Sequence, residues 1–228
     1  MMEQCFPDRD AAASAVAVRI ESALQRQLAS RAKASFVVSG GSTPAATFTQ
    51  LAQKDMAWRQ VQVLLSDERW VSPEHADSNE NMLRERLITS SATSLRLLPF
   101  YADGTSVEDR CAVMEKAIRK LPLPFACALL GMGEDGHFAS LFPGTSNLRL
   151  GLDPDSDTLC IPVTTGSSPY NRISLTLAAL LMSEEIMLLA YGEKKRAVIA
   201  QAARGESDLP VSHLLKQQRT PVRVFWAP

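Results

Sequence analysis

Residues 35–44 read SFVVSGGSTP, and this stretch decides the fold class. The segment 35–39 is short, apolar and rich in residues that favour strands, which predicts a buried β-strand. Gly40 and Gly41 then form a turn, and Pro44 takes an early helical position that needs no N–H donor. A strand, a glycine turn and a helix in this order are typical of an α/β protein with a parallel sheet.

The same order of elements recurs along the chain. Segments 61–66 (VQVLLS) and 125–130 (FACALL) are apolar throughout, and each precedes a polar or glycine-containing loop. Strands of this kind alternating with helices predict a parallel sheet covered by helices on both faces. The remaining predicted strands are 95–99, 158–163, 186–191 and 221–226, the helices are 9–29, 79–88, 107–120, 174–182, 194–203 and 211–217, and surface loops are predicted at 153–157 and 166–169.

The amino-acid composition is that of a folded globular protein and argues against some classes of partner. The chain has 228 residues, of which 46% are hydrophobic and 21% charged, so we expect one folded domain spanning 1–228. Lys plus Arg number 24 against 25 Asp plus Glu, and no segment concentrates positive charge, which argues against a nucleic-acid partner. Neither an export signal nor a membrane-spanning run is apparent, so no membrane partner is expected.

The cysteines indicate the compartment. They are widely spaced, form no C-x-x-C pair, and two of them lie in apolar runs, which predicts reduced thiols in a cytoplasmic protein. The four positions are Cys5, Cys111, Cys127 and Cys160.

Three polar segments containing glycine or charge follow predicted strands: SGGSTP at 39–44, SDERW at 66–70 and GMGEDGH at 131–137. Ligands of an open parallel sheet bind beyond the carboxyl ends of its strands. We therefore expect the three segments to converge on one crevice.

The first of these segments suits a phosphate group. Gly40 and Gly41 let the backbone approach an anion, and Ser42 and Thr43 add hydroxyl donors before a helix begins. A tight turn with a helix N-cap would use the same residues. From this segment alone, both interpretations stay open.

The third segment places His137 two residues after Asp135, directly beyond a predicted central strand. A histidine there can take a proton near neutral pH and be oriented by a carboxylate. The alternative is an ordinary loop histidine. Gly131 and Gly133 form a G-x-G, but Gly136 stands at the wrong spacing for the dinucleotide fingerprint, so that cofactor is not expected.

The other two histidines, His75 and His213, are predicted on a loop and on a helix face. With no C-x-x-C and no H-x-x-x-H in the chain, we expect no metal site.

Charged residues near the strand ends are candidate anion ligands. Arg69 could hold an oxyanion or a phosphate, or pair with Asp67 or Glu68 as a structural ion pair. Arg172 and Lys195 are candidate phosphate ligands, and each could equally be a solvated surface charge.

Taken together, these motifs resemble the 6-phosphogluconolactonases, within a larger group that includes the glucosamine-6-phosphate deaminases. The resemblance covers essentially the whole chain. It implies a three-layer α/β/α fold with a Rossmann-like, mostly parallel sheet. It rests on SGGSTP (39–44), SDERWV (66–71) with DSN (77–79), GMGEDGHFASLFPG (131–144), RISLT (172–176) and GEKK (192–195), in that order.

The resemblance implies hydrolysis of 6-phospho-D-glucono-1,5-lactone to 6-phospho-D-gluconate, the second step of the oxidative pentose phosphate pathway, with no cofactor. His137 would act as general base on water, Asp135 or a nearby backbone group would orient it, and Arg69 would stabilise the oxyanion. The allocation of Arg69, Arg172 and Lys195 between phosphate and oxyanion is left open. The implied substrate-binding residues are Gly40, Gly41, Ser42, Thr43, Asp67, Asn79, Gly131, Gly133, Arg172 and Lys195.

Two alternatives remain from the sequence. A deaminase would use Asp67 to move a proton, but the glutamate that follows the histidine in that group is missing here, where 140–142 read Ser, Leu and Phe. A sugar-phosphate sensor that binds without turnover would be expected to carry a DNA-binding extension. Oligomeric state cannot be derived from these motifs, and a monomer is our expectation.

Overall fold

The computed structural model describes residues 1–166 and 168–228, so position 167 of the loop predicted at 166–169 lies outside the described residues. The strands are β1 (Met2–Cys5), β2 (Ala34–Val38), β3 (Val61–Leu65), β4 (Asp67–Arg69), β5 (Arg96–Leu98), β6 (Ala128–Gly131), β7 (Cys160–Val163), β8 (Arg172–Leu175), β9 (Ile186–Tyr191) and β10 (Val222–Ala227). The α-helices are α1 (Arg9–Leu28), α2 (Ala45–Leu51), α3 (Asn79–Arg86), α4 (Val107–Ile118), α5 (Leu148–Leu152), α6 (Leu177–Leu180), α7 (Glu193–Ala203) and α8 (Pro210–Lys216).

Seven strands form the central sheet in the order β1-β10-β9-β6-β2-β3-β5, and every neighbouring pair is parallel. Val38 of β2 lies opposite both Leu65 of β3 and Leu129 of β6. The carboxyl ends of these three strands are therefore nearly level, and the loops that follow them leave the sheet at one edge. The mostly parallel α/β sheet expected from the sequence is confirmed.

The sheet is parallel because its strands are apolar on both faces. All five residues of β2 and five of the six in β9 are buried, which requires helices above and below. Helix α1 supplies part of that cover. Its N-cap Asp8 accepts a hydrogen bond from the Ala11 N–H, and its apolar residues recur at helical spacing and are buried on one face.

A second, antiparallel sheet in the order β4-β8-β7 was not predicted. Residues 67–69, expected as loop, form β4, and the strand predicted at 158–163 belongs to this sheet rather than to the parallel one. The helix predicted at 174–182 is found only over Leu177–Leu180, as α6, so the prediction is wrong for its first two residues. Thr176 caps α6, so residues 172–175 remain extended as β8. A short apolar run does not distinguish strand from helix, and here long-range pairing decides.

Two elements carried no periodic pattern and were missed. β1 is exposed along its whole length at the edge of the central sheet, and α5 has only five residues. All four cysteines are free, with Cys5 exposed and the other three buried. None of the described helices has the length and apolar character that crossing a membrane requires.

Candidate active site

A cavity of about 270 Å³ opens at the carboxyl edge of the central sheet. Loops after β2, β3 and β6 meet there, together with β4, β8 and the start of α7. Every residue named from the sequence as a site candidate lines this cavity except Asp135, which contacts His137 instead. The lining residues are Ser39, Gly40, Gly41, Ser42, Thr43, Asp67, Arg69, Asn79, Gly131, Met132, Gly133, His137, Ala139, Arg172 and Lys195.

The glycine turn after β2 forms one wall. A Cβ on Gly40 would lie 2.0 Å from Asn79 Oδ1, so only glycine lets this turn approach α3, and Gly41 has a φ of +87°. Helix α2 begins at Ala45 without a side-chain cap. Neither the Ser42 hydroxyl nor the Thr43 hydroxyl therefore caps α2.

The floor of the cavity is a chain of polar side chains centred on Asp67, which is 6% exposed. Ser66 Oγ donates to Asp67 Oδ1 at 2.8 Å, and Ser140 Oγ donates to Oδ2 at 2.6 Å. Ser39 Oγ extends the chain at 2.8 Å from Ser66 Oγ. Both oxygens of Asp67 are thus engaged, which fixes the carboxylate in place.

Arg69 does not form the ion pair that the sequence left open. Its Nη1 donates to the Asp77 carbonyl at 2.7 Å and to Asn79 Oδ1 at 3.0 Å. Arg69 Nε is buried and has no hydrogen-bond partner among the described residues. A guanidinium held by neutral groups keeps its charge available for an anion.

Arg172 has a similar position. Its Nη1 lies 3.9 Å from Asp67 Oδ2 and 3.5 Å from Ser140 Oγ, so the polar contacts are long. Arg172 Nε is also buried without a partner in the described part of the chain. Burial lowers the pKa of the guanidinium, and the Asp67 carboxylate opposes that shift. Arg69 and Arg172 therefore both line the cavity, and the Asp67 carboxylate neutralises their positive charge only in part.

Glu68, which the sequence treated only as an ion-pair partner, ties β4 to α3. It is 1% exposed and accepts backbone N–H bonds from Arg69 at 2.7 Å, Asn79 at 2.8 Å and Glu80 at 2.7 Å. Ser78 Oγ donates to it at 3.1 Å. Burial raises the pKa of Glu68 to about 7, and these hydrogen bonds act in the opposite direction.

The histidine loop is built around a close contact. His137 Nδ1 lies 2.6 Å from Asp135 Oδ1, and the same oxygen accepts the His137 backbone N–H at 3.2 Å. A Cβ on Gly133 would lie 2.3 Å from His137 Nδ1, which requires glycine there. Because Nδ1 is occupied by the carboxylate, Nε2 is the nitrogen left for a ligand.

An aromatic ring lies beside the imidazole. The centroid of Phe142 is 4.1 Å from that of His137, and the Arg172 guanidinium carbon is 5.2 Å from the Phe142 centroid. Neither contact was predicted, since the apolar run 138–142 gave no reason to single out one ring.

Lys195 reaches the cavity from the first turn of α7, which follows Gly192 at a φ of +87°. Burial lowers the pKa of its ammonium, and the nearby Glu134 acts in the opposite direction. The lysine is partly buried, so it is not the fully solvated charge considered above.

His75 and His213 lie on a loop and on α8, outside the cavity.

Across residues 1–166 and 168–228, no group of three or more His, Cys, Asp or Glu side chains is arranged to hold a metal ion. The cavity instead combines three cations, a fixed carboxylate and an oriented imidazole. Such a set suits a small anionic substrate that undergoes proton transfer.

Comparison with known proteins assigns the family. The model of the glucosamine-6-phosphate isomerases/6-phosphogluconolactonase family matches residues 7–226. The chain belongs to this family. A 6-phosphogluconolactonase of Mesorhizobium japonicum is 39% identical over 223 residues, covering 98% of this chain and 94% of that protein. One of Pseudomonas aeruginosa is 35% identical over 218 residues, covering 95% and 90%.

Solved structures agree with this membership. The crystal structure of a 6-phosphogluconolactonase from Shewanella baltica OS155 superposes with a TM-score of 0.94 at 34% identity. The match covers 100% of this chain and 98% of that one. The parallel sheet and the small antiparallel sheet are therefore set in a fold that this family shares.

Proposed function

We propose that this protein hydrolyses 6-phospho-D-glucono-1,5-lactone to 6-phospho-D-gluconate, the second step of the oxidative pentose phosphate pathway. The relatives from Mesorhizobium japonicum, Pseudomonas aeruginosa and Shewanella baltica are named 6-phosphogluconolactonases and match nearly the full chain. The observation that carries the proposal is the Asp135–His137 pair at 2.6 Å beside a cavity lined by three cations.

His137 acts as the general base. With the Nδ1 proton donated to Asp135, Nε2 carries a lone pair that takes a proton from a water molecule. The resulting hydroxide attacks the C1 carbonyl of the lactone. Asp135 keeps the imidazole in the useful tautomer and stabilises the imidazolium that forms.

Arg69 stabilises the oxyanion of the tetrahedral intermediate. Its guanidinium is held by the Asp77 carbonyl and Asn79, so it is oriented before the substrate binds. A donor fixed in advance loses little energy to reorganisation when negative charge develops on the carbonyl oxygen. The proton on His137 then passes to the ring oxygen as the C1–O bond breaks.

The 6-phosphate binds in the same cavity, beside the glycine turn. The backbone of Gly41, the free hydroxyls of Ser42 and Thr43, and the cations Arg172 and Lys195 hold it, while Gly40, Asp67, Asn79, Gly131 and Gly133 shape the walls. A dianion there offsets the cost of burying two positive charges.

Replacement of Lys195 tests the phosphate end. For Lys195→Ala we expect KM for the phosphorylated lactone to rise about tenfold, the equivalent of about 1.4 kcal/mol. KM for unphosphorylated glucono-1,5-lactone should stay within twofold, because that substrate lacks the group Lys195 contacts. Equal changes for both substrates would show that Lys195 does not bind the phosphate.

The experiment for the function itself is a lactone-hydrolysis assay on the purified protein, with ammonia release from glucosamine 6-phosphate measured in parallel. We expect hydrolysis well above the spontaneous rate and no ammonia. Binding of 6-phosphogluconate without turnover would instead favour a sensor, and ammonia release would favour a deaminase.

We further propose that the protein is cytoplasmic and acts as a monomer. Its four cysteines are free and three of them are buried, which suits a reducing compartment. Sedimentation of the purified protein at assay concentration tests the second statement.

A further inference from the structure

Phe142 contacts two groups of the proposed active site with one ring. It is 9% exposed, and its ring centroid lies 4.1 Å from that of His137 with the planes inclined by 35°. The guanidinium carbon of Arg172 lies 5.2 Å from the same centroid. The ring offers no polar atom to a substrate, so any role it has in the reaction passes through these neighbours.

The hydrogen bond to Asp135 and the close approach of Gly133 hold the Nδ1–Cε1 edge of the imidazole. The tilt of the ring plane depends on what packs against its face. The face of Phe142 at 4.1 Å restricts this tilt. Together, the carboxylate and the ring determine the direction in which Nε2 points.

The same ring also lies within cation–π range of Arg172, whose guanidinium carbon is 5.2 Å from its centroid. The contact with the imidazole is closer, with 4.1 Å between the two ring centroids. The variants below separate an effect on His137 from an effect on Arg172.

We propose that Phe142 is a positioning residue that holds the His137 imidazole at the angle at which Nε2 can take a proton from the attacking water. This inference rests on the proposed function, in which His137 is the general base. A base displaced by a fraction of an ångström loses much of its effect, because proton transfer demands close alignment.

Phe142→Leu tests the proposal, since leucine keeps an apolar side chain but removes the flat face. We expect kcat to fall about tenfold while KM for the phosphorylated lactone stays within twofold. The matched control is Phe6→Leu, which removes a ring stacked on Phe225 at 5.9 Å and 6°, outside the cavity. The control should leave kcat unchanged.

A double variant identifies the route. If Phe142 acts through His137, adding Phe142→Leu to His137→Ala should change the remaining enzymatic rate by less than twofold. A further tenfold loss in that background would overturn the proposal, because it would place the effect on Arg172 or on the substrate.

Proton NMR tests the contact without reference to activity. The ring current of Phe142, whose centroid lies 4.1 Å from that of His137, shifts the imidazole C–H resonances of His137 upfield, and Phe142→Leu should return them toward those of exposed His213. His75, whose ring packs edge-on against Tyr170 at 5.5 Å, is the internal reference and should not move. Identical His137 resonances in the two proteins would overturn the proposal.

Two outcomes separate this inference from the function it rests on. Wild-type protein without lactone hydrolysis refutes the function and with it any catalytic role of the ring. Hydrolysis by the wild type with an unchanged kcat in a folded Phe142→Leu refutes the positioning role alone. If Phe142→Leu does not fold, Phe142→Tyr keeps the ring and should retain kcat within threefold, and a tenfold loss there at unchanged stability would refute the role.

Discussion

Arginines cluster at both ends of the central sheet. At one end they form short ion pairs, and at the other end, within the part of the chain that the structure describes, they do not. At the amino end of β9, buried Glu185 accepts bonds from Arg19 at 2.8–3.0 Å and from Arg223 at 3.2 Å, with Arg26 at 3.5 Å. At the carboxyl edge, Arg172 stays 3.9 Å from Asp67, and the Nε atoms of both cavity arginines are unpartnered in the described residues.

The difference separates a structural ion cluster from a binding site. At Glu185 the charges neutralise one another directly, and the pKa of Arg19 is raised chiefly by its hydrogen bond to that carboxylate. In the cavity the carboxylate of Asp67 is engaged by Ser66 and Ser140 instead. Among the described residues, the two cavity arginines therefore keep unpaired N–H donors. Burying unpaired donors costs free energy, and a bound anion offsets that cost.

Between the two arginine clusters, the largest effect we expect comes from removing Arg69. Loss of one preorganised oxyanion donor costs about 10²–10³ in kcat, or about 3–4 kcal/mol. We therefore expect Arg69→Ala to lower kcat by that factor with little change in the temperature of unfolding. Arg19→Ala is the matched control from the other cluster and should leave kcat unchanged; equal activity losses in the two variants would remove the distinction between the clusters.

Removing Glu185 should lower the stability of the protein and leave kcat unchanged. Glu185→Gln leaves three arginines without a carboxylate, and breaking a buried pair costs about 3–5 kcal/mol of unfolding free energy. We expect about 3 kcal/mol, because Arg26 and Arg19 are partly exposed. Chemical denaturation measures this loss, and kcat measured on the folded fraction should match the wild type. A lowered kcat would mean that the Glu185 cluster affects the active site, which would contradict its purely structural role.

The smallest effect is a pH dependence carried by Glu68. Its pKa of about 7 in the folded protein exceeds the ordinary value near 4.5, so the folded state binds the proton more tightly. Its contribution is therefore fully present below pH 4.5 and is lost as the pH rises through about 7. Between these limits we expect the unfolding free energy of the wild type to fall by about 2–3 kcal/mol relative to Glu68→Gln. A difference that is constant across this range would contradict the shifted pKa.

The sequence predicted the members of the cavity better than their interactions. Parallel strands that are apolar throughout place their following loops at one edge, so segments 39–44, 66–70 and 131–137 had to meet near each other. The glycines follow from the same geometry: Gly40 is required by Asn79 and Gly133 by the His137 ring. These positions could be found from residue type and spacing.

The missed features depend on long-range pairing. β4 and β8 are three and four residues long and are stabilised by pairing within the sheet β4-β8-β7, so no local pattern marks them. The partners of Arg69 are a carbonyl and an amide across the β4–α3 turn, whereas adjacent charges in the sequence suggested an ion pair. The contact between the rings of Phe142 and His137 likewise depends on how the loop after β6 folds, and no local pattern marks it.

The central claim is that an imidazole oriented by Asp135 activates water beside an anion-binding cavity. The most direct test is the initial rate of 6-phosphogluconolactone hydrolysis by His137→Ala, measured above the spontaneous rate and compared with that of the wild type. We predict that kcat falls by about 10²–10⁴ with the fold intact by circular dichroism. A kcat within threefold of the wild type would contradict the account.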